Sequence, residues 1–431
     1  MFSPGEAPRV RLPLGSAFRM VWASATLSAI GDGMRFVALP LLAARLSGDP
    51  RDIALVFLAE QAPWLLLSLP AGALADRLDR RQLLWRVDAA RAVVAALPAV
   101  LVVLNAPSIP LLAATGFLLG AGEVLHGGAW AGLVPALVPR EERPRANAAI
   151  QAGMLVGDTL LGTPVGAVLF TVAAAGPFVV DTASFAVAAL LMALVPGDFR
   201  PRAASAGTTA GVPAPAGAGN LRREAVEGVR QLWHRPLLRR LCLVAAVSNL
   251  VLSGLIAVLV LFARDQLGLD GTGYGLLVAS FAVGGLGGAG LAPRLVAGLG
   301  AGRVLRLVMP VAAVLAGALG VTSSGVVAGS LIAAYGAAAT VWNITAVSVR
   351  QSIVPAELLG RVGTAYQTVT LGAGAVGAAA SGALAHVSGL RAPFLLGALL
   401  LVAAAGAALR IPAEVRPEAE ADAEAEAVAM E

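Results

Sequence analysis

The sequence predicts an all-α membrane protein, with twelve transmembrane helices arranged as two six-helix bundles. Three observations carry this. Of 431 residues, 58% are hydrophobic and only 13% charged, with a mean hydropathy of +0.81. Soluble domains carry about 25% charged residues, and half that share leaves too little polar surface to keep a chain of this size in water. The apolar residues fall in blocks long enough to cross a bilayer, about 20 residues each. Arginine concentrates in alternate loops, as in proteins that insert with their positive loops inside.

The first six spans are read at 18–44, 53–75, 83–104, 109–137, 147–172 and 176–195. The last six are read at 237–263, 273–293, 303–321, 325–349, 358–386 and 391–409. They are continuously apolar, without the period-two alternation of a membrane barrel strand. The 50 glycines would weaken soluble helices, but in lipid small residues let helix backbones approach closely. This divides the chain into an N-terminal bundle (1–196), a cytoplasmic linker with an amphipathic helix (197–236), a C-terminal bundle (237–413) and an acidic tail (414–431). The linker's centre, 203–219, is Ala-, Gly- and Pro-rich with nothing to pack, while 221–235 has an amphipathic pattern suited to the membrane surface.

The loops on one side hold Arg77, Arg80, Arg81, Arg86, Arg140, Arg143, Arg145, Arg294, Arg303, Arg306, Arg350 and Arg361, and the linker adds six more. The other side holds Arg45, Arg51, Arg264 and Arg391. This places both termini in the cytoplasm and requires an even number of spans in the inner (plasma) membrane. No cleavable signal peptide is expected, because residues 1–17 lack a short apolar core and a small-residue cleavage site.

No lysine is present, so a phosphate-cradling nucleotide loop is impossible and ATP-driven transport within this chain is excluded. The single cysteine, Cys242, and three scattered histidines rule out a disulfide framework and offer no metal cluster. No cofactor, no nucleic-acid partner and no catalytic constellation is expected.

The two halves repeat at an offset of 216 residues. VPREERPRANAAIQ (138–151) aligns with VPAELLGRVGTAYQ (354–367), matching Pro139 to Pro355, Glu141 to Glu357, Arg145 to Arg361 and Gln151 to Gln367. Each copy sits between the fourth and fifth spans of its half, as in transporters built from two parallel repeats.

The loop after the second span reads GALADRLDRRQLL (72–84). It resembles the signature of the major facilitator superfamily. Gly72, Asp76, Arg77, Arg80 and Arg81 fit, and Asp79 stands where the common pattern has Gly. The flanking stretches 31–50, 63–81 and 137–148 resemble the branch holding the enterobactin exporter and macrolide-efflux proteins. The resemblance implies proton-coupled efflux of a small lipophilic molecule, with small-molecule cargo, protons and the lipid bilayer as partners and a monomer as the working unit. It implies a conformational gate at Gly72, Asp76, Arg77, Arg80 and Arg81. Physically, Asp76 can cap a helix N-terminus and the arginines can pair across the halves in one state and release in the other. A Gly-Pro-Gly pattern expected in the fifth span is met loosely by Gly157, Gly162, Pro164 and Gly166, which suit close packing or a bend.

Ionisable residues within spans are functional candidates by default. Here they fall in the first half: Asp32, Arg35, Glu60, Glu123, His126 and Asp158 are the candidates for proton coupling or cargo. Asp32 and Arg35 share a helix face at i,i+3 and can pair, and Glu123 and His126 repeat the spacing. Asp88 and Arg91 read as structural groups nearer the cytoplasmic end, placed to partner Arg77 or Arg81, and Asp181 as a residue near the outer end of its span. The second half offers an uncharged polar and aromatic wall. Trp64, Trp130, Trp342, Tyr366 and Gln367 are cavity candidates, as are Trp22 and Phe36. A metabolite uniporter or importer of the same fold is the rival function, and a non-transporting membrane scaffold a more distant one.

Overall fold

A computed structural model describes residues 15–75, 78–130, 133, 137–139, 142–196, 199, 229–354 and 358–413. Among them there is no strand. In lipid a backbone must satisfy its own hydrogen bonds, so each apolar block closes as a helix.

The first bundle comprises α1 (Ser16–Leu46), α2 (Pro50–Ala75), α3 (Arg80–Val103), α4 (Ile109–Trp130), α5 and α6 (Gly176–Leu194). Helix α5 is a rod of three parts, α-helical Arg143–Leu155, π-helical Val156–Gly162 and α-helical Thr163–Val172. The second comprises α7 (Pro236–Asp265), α8 (Gly271–Leu299), α9 (Ala301–Val321), α10 (Gly325–Ile353), α11 (Leu359–Ser388) and α12 (Ala392–Ala408).

Among the described residues, nine helices are long and apolar enough to cross a membrane. Twelve were expected. Helices α2 and α3, which bear Glu60, Asp88 and Arg91, and the 17-residue α12 fall outside that set. Most helices also overshoot the apolar blocks: α8 runs to Leu299 and α5 begins at Arg143. Hydropathy marks where hydrocarbon contact ends, while helical hydrogen bonding continues until a cap stops it.

The internal repeat is visible in the packing. Helix α2 lies on α4 as α8 lies on α10, α3 on α6 as α9 on α12, and α1 on α5 as α7 on α11. The bundles meet along α2 with α11 and α5 with α8, again one pair for each half. At the end holding the α1–α2 turn, the halves are tied by polar contacts. An Arg264 N–H donates to the Ala44 carbonyl at 2.7 Å, and His386 Nδ1 lies 3.1 Å from Asp49 Oδ1. At the opposite end, the long-range hydrogen bonds of Arg81, Arg240 and Arg306 among the described residues stay within one bundle. The structure is therefore closed at the α1–α2 end.

Local caps start several helices. Asp79 Oδ1 accepts from the Gln82 N–H at 3.0 Å and begins α3, while its Oδ2 accepts from the Phe199 N–H at 3.4 Å. The start of α3 is thus capped by Asp79, the residue that departs from the family pattern. Asp76, Arg77 and the Glu141 and Glu357 copies of the repeat lie outside the described residues, as do the linker centre (203–219) and the acidic tail (414–431). Of the amphipathic stretch, 229–234 is helical, with Leu232 buried and Trp233 exposed.

Candidate functional site

The site begins with α1, whose buried face carries Arg35 at its centre. Arg35 is 3% exposed and contacts acids from three helices. It donates to Asp32 Oδ1 at 2.9 Å, pairs with Glu60 of α2, and sits 3.7 Å from Asp181 of α6. Arg91 of α3 donates to the same Asp32 oxygen at 2.8 Å, and its guanidinium lies 4.1 Å from the centroid of the Phe185 ring. Two arginines thus clamp one carboxylate, Asp32. Gly122 of α4 makes room for the second: a methyl there would come within 2.7 Å of Arg91 Cγ.

This corrects the expectations for Asp88 and Arg91. Arg91 lies midway along α3 and joins the Asp32 cluster. Arg81, beside which the Asp88–Arg91 pair was expected, donates to the Val195 carbonyl at 2.8 Å. Asp88 is fully buried with His126 Nε2 3.7 Å away, and Asp181 is fully buried against Arg35. The sequence signal for Arg91 was its place as a mid-span charge; its partner lies 59 positions away, which no spacing rule reaches. The i,i+3 pairing of Asp32 with Arg35 is present.

Beside this network lies a cavity of about 820 Å³. Asp32, Arg35, Glu60, Arg91, Glu123, His126 and Asp158 line it, with Phe36, Trp64 and Trp130 among the apolar walls and Gln367 and Leu371 reaching in from α11. His126 stacks on Trp130 with ring centroids 5.5 Å apart. Trp22 is the exception among the aromatic candidates: its indole N–H donates to the Ala149 carbonyl at 2.9 Å, away from the cavity. Among the described residues the lining holds four acids and two arginines. Both arginines are spent on Asp32 and Glu60, so Glu123 and Asp158 face the cavity with no arginine pairing with either among the described residues.

Asp158 stands on the π-helical turn of α5. The turn ends just before Pro164, which lacks the N–H that would continue the α-helical ladder. The Asp158 carbonyl accepts both the Thr163 backbone N–H and, at 3.2 Å, the Thr163 hydroxyl. Gly157, Gly162 and Gly166 all face α1, and a methyl on Gly157 would come within 2.8 Å of the Thr26 carbonyl oxygen. The glycines let α5 lie directly on the α1 backbone, which places Asp158 next to the Asp32 network.

Trp342, Tyr366 and Gln367 line a second cavity, of about 540 Å³, inside the C-terminal bundle. Of the loop residues expected to gate, Gly72 lies within α2, and the Arg80 backbone N–H donates to the Phe199 carbonyl at 3.5 Å.

A two-bundle helical fold with a central cavity between the halves defines a membrane transporter of the major facilitator class, not an enzyme. The chain belongs to the transmembrane secretion effector family, whose family model matches residues 12–430. It is 27% identical over 406 residues to the multidrug efflux pump Tap of Mycolicibacterium fortuitum, covering 88% of this chain and 92% of that protein. A bacterial homologue of the lysosomal transporter Spinster, in an inward-facing and occupied conformation, superposes with a TM-score of 0.71 at 16% identity, covering 96% of this chain and 99% of the other. An inward-facing bacterial homologue of the iron transporter ferroportin superposes with a TM-score of 0.71 at 18% identity, covering 91% and 98%. These structural likenesses establish the fold. The protein is a multi-pass membrane transporter with small-molecule cargo.

Proposed function

We propose that this transporter exports a small lipophilic molecule in exchange for protons, by alternating access of the central cavity, with both termini in the cytoplasm of a cell whose inner membrane it spans. The observation that carries the reading is the pair of cavity carboxylates, Glu123 and Asp158, left without an arginine in a site where Asp32 and Glu60 have theirs. A carboxylate facing a cavity can take a proton in one state and give it up when cargo arrives in the other. Only such differential binding shifts the equilibrium between inward- and outward-open states. Trp64, Trp130 and Phe36 provide the apolar surface a lipophilic cargo needs. The likeness to a protein named as a multidrug efflux pump supports export. Asp32 holds the two arginines in place, and Glu123 carries the proton.

The gating residues Gly72, Asp76, Arg77, Arg80 and Arg81 belong to the same reading. They set the balance of states and do not touch cargo, so Asp76→Asn is expected to slow transport and spare cargo binding. An unchanged rate would remove the gate from this loop.

The deciding experiment uses purified protein in liposomes with a pH-sensitive dye and an imposed proton gradient. Lipophilic cations, macrolides and siderophores are added in turn. Cargo-driven proton flux that Glu123→Gln or Asp158→Asn abolishes supports antiport at these carboxylates. Flux that neither substitution reduces moves the proton elsewhere. If no cargo drives protons while labelled cargo equilibrates alike with and without the gradient, the protein is a uniporter.

A further inference from the structure

The second cavity lies within the C-terminal bundle, between α7, α9, α10 and α11. It meets the central cavity at Gln367 and Leu371, which line both. Its walls are of a different chemical kind from the central site. Among the described residues no aspartate or glutamate lines it, and the charged side chain on its wall is Arg350, near the end of α10. The Arg350 guanidinium lies 4.4 Å from the centroid of the Tyr366 ring. Among the described residues no carboxylate pairs with it.

An arginine that merely obeyed the loop charge bias would extend into water. This one is half-buried on an aromatic face and lines a cavity of about 540 Å³, within the range of small-molecule sites. Stacking holds the guanidinium plane while leaving its N–H edge for a planar acceptor, and a carboxylate is the acceptor that fits the fork. Trp342 adds a second aromatic wall, and Asn249 and Asn343 supply amide groups. The Asn249 amide nitrogen already donates to the Ala245 carbonyl at 3.0 Å.

We propose that this pocket is a cargo subsite for an aromatic organic acid, with Arg350, held on the Tyr366 ring, as counter-ion to its carboxylate and Trp342 against the cargo ring. The inference rests on the reading of the joined cavities as the cargo route. It makes the C-terminal half a chooser of cargo and the N-terminal half the proton-handling half.

The test is direct binding of a radiolabelled naphthalene carboxylate to the full chain in detergent micelles, against the matching carboxamide. Wild type is expected to prefer the acid. Arg350→Gln is expected to weaken the acid by about tenfold, the scale of one charge-assisted contact, while the amide changes less than about twofold. Arg350→Lys keeps the charge without the fork and is expected to lie between. Should Arg350→Gln fail to fold, Tyr366→Leu removes the ring beneath the guanidinium and is expected to weaken the acid selectively. Equal affinity of wild type for acid and amide, or equal loss of both in either variant, overturns the subsite. Adding phosphatidylglycerol is expected to leave acid binding unchanged; competition by it would make Arg350 a lipid-headgroup contact and overturn the cargo role. The measurement needs no proton gradient. A failed antiport assay therefore leaves it standing, and a failed binding assay leaves Glu123 coupling untouched.

Discussion

Arg35 is the residue on which most of the N-terminal half's charge converges. It faces Asp32, Glu60 and Asp181, all in a bundle interior where an uncompensated charge is costly. Arg35→Met removes the shared cation and is expected to destabilise the protein by about 3 kcal/mol, read as a lowered melting temperature in detergent. Adding Glu60→Met to that variant removes one stranded acid and is expected to recover part of the loss. A double variant no more stable than the single would show that Glu60 does not depend on Arg35. At the α1–α2 turn, hydrogen bonding to the Arg51 side chain holds Asp49 down at about 2, with Arg51's backbone and His386 adding to the effect. A depressed carboxylate stabilises the fold above its unfolded value of about 3.9 and loses that contribution as pH falls towards 2. The melting difference between wild type and Asp49→Asn is thus expected to shrink as pH falls from about 4 towards about 2. Shrinkage above that window would assign the contact to a different group. The Asp32–Arg35 pair was legible in the sequence because i,i+3 on one helix is a local fact. The second clamp, from Arg91, was not, because it depends on where α3 passes α1.

At the scale of the element, α5 shows how a weak motif becomes a specific shape. Spacing suggested tight packing or a bend around Gly157, Gly162, Pro164 and Gly166. The structure has a π-helical turn at Val156–Gly162 and a glycine face on α1. A methyl on Gly166 would meet Met34 Cβ at 2.9 Å, whereas at Gly287 and Gly290 of α8 nothing lies within 4 Å. Gly166→Val is therefore expected to cost about 1–3 kcal/mol through overpacking, and Gly287→Val or Gly290→Val to be near neutral, by melting in detergent. Equal effects at all three would mean that the α1–α5 contact is not under steric control. Helix α3 carries a different lesson. Its charges keep it outside the set of plainly apolar spans, yet those charges are what the bundle interior is built around.

At the scale of the whole molecule, the two bundles are held at one end by Arg264 to the Ala44 carbonyl and by His386 beside Asp49. These contacts must break for that end to open. In a Cys242→Ser background, spin labels at positions 48 and 389 are expected to report one short, narrow distance. Arg264→Gln should add a longer population. An unchanged distribution would show that the closure rests on helix packing alone.

The sequence by itself determined that the chain is a helical membrane protein, because lipid forces each apolar block to satisfy its own backbone, and that requirement is local; the transporter class came from the resemblance carried by the 72–84 loop. It also showed which charged residues lie within the spans, since any charge inside an apolar block does. The tertiary structure decided which of those charges are paired. It joined Arg91 to Asp32, gave Asp79 the α3 cap, and left Glu123 and Asp158 facing the cavity without an arginine. The reason is distance: a salt bridge forms or fails over a few ångströms between separate helices. Hydropathy sets that each helix lies in the membrane, not which neighbour it meets or which face it turns.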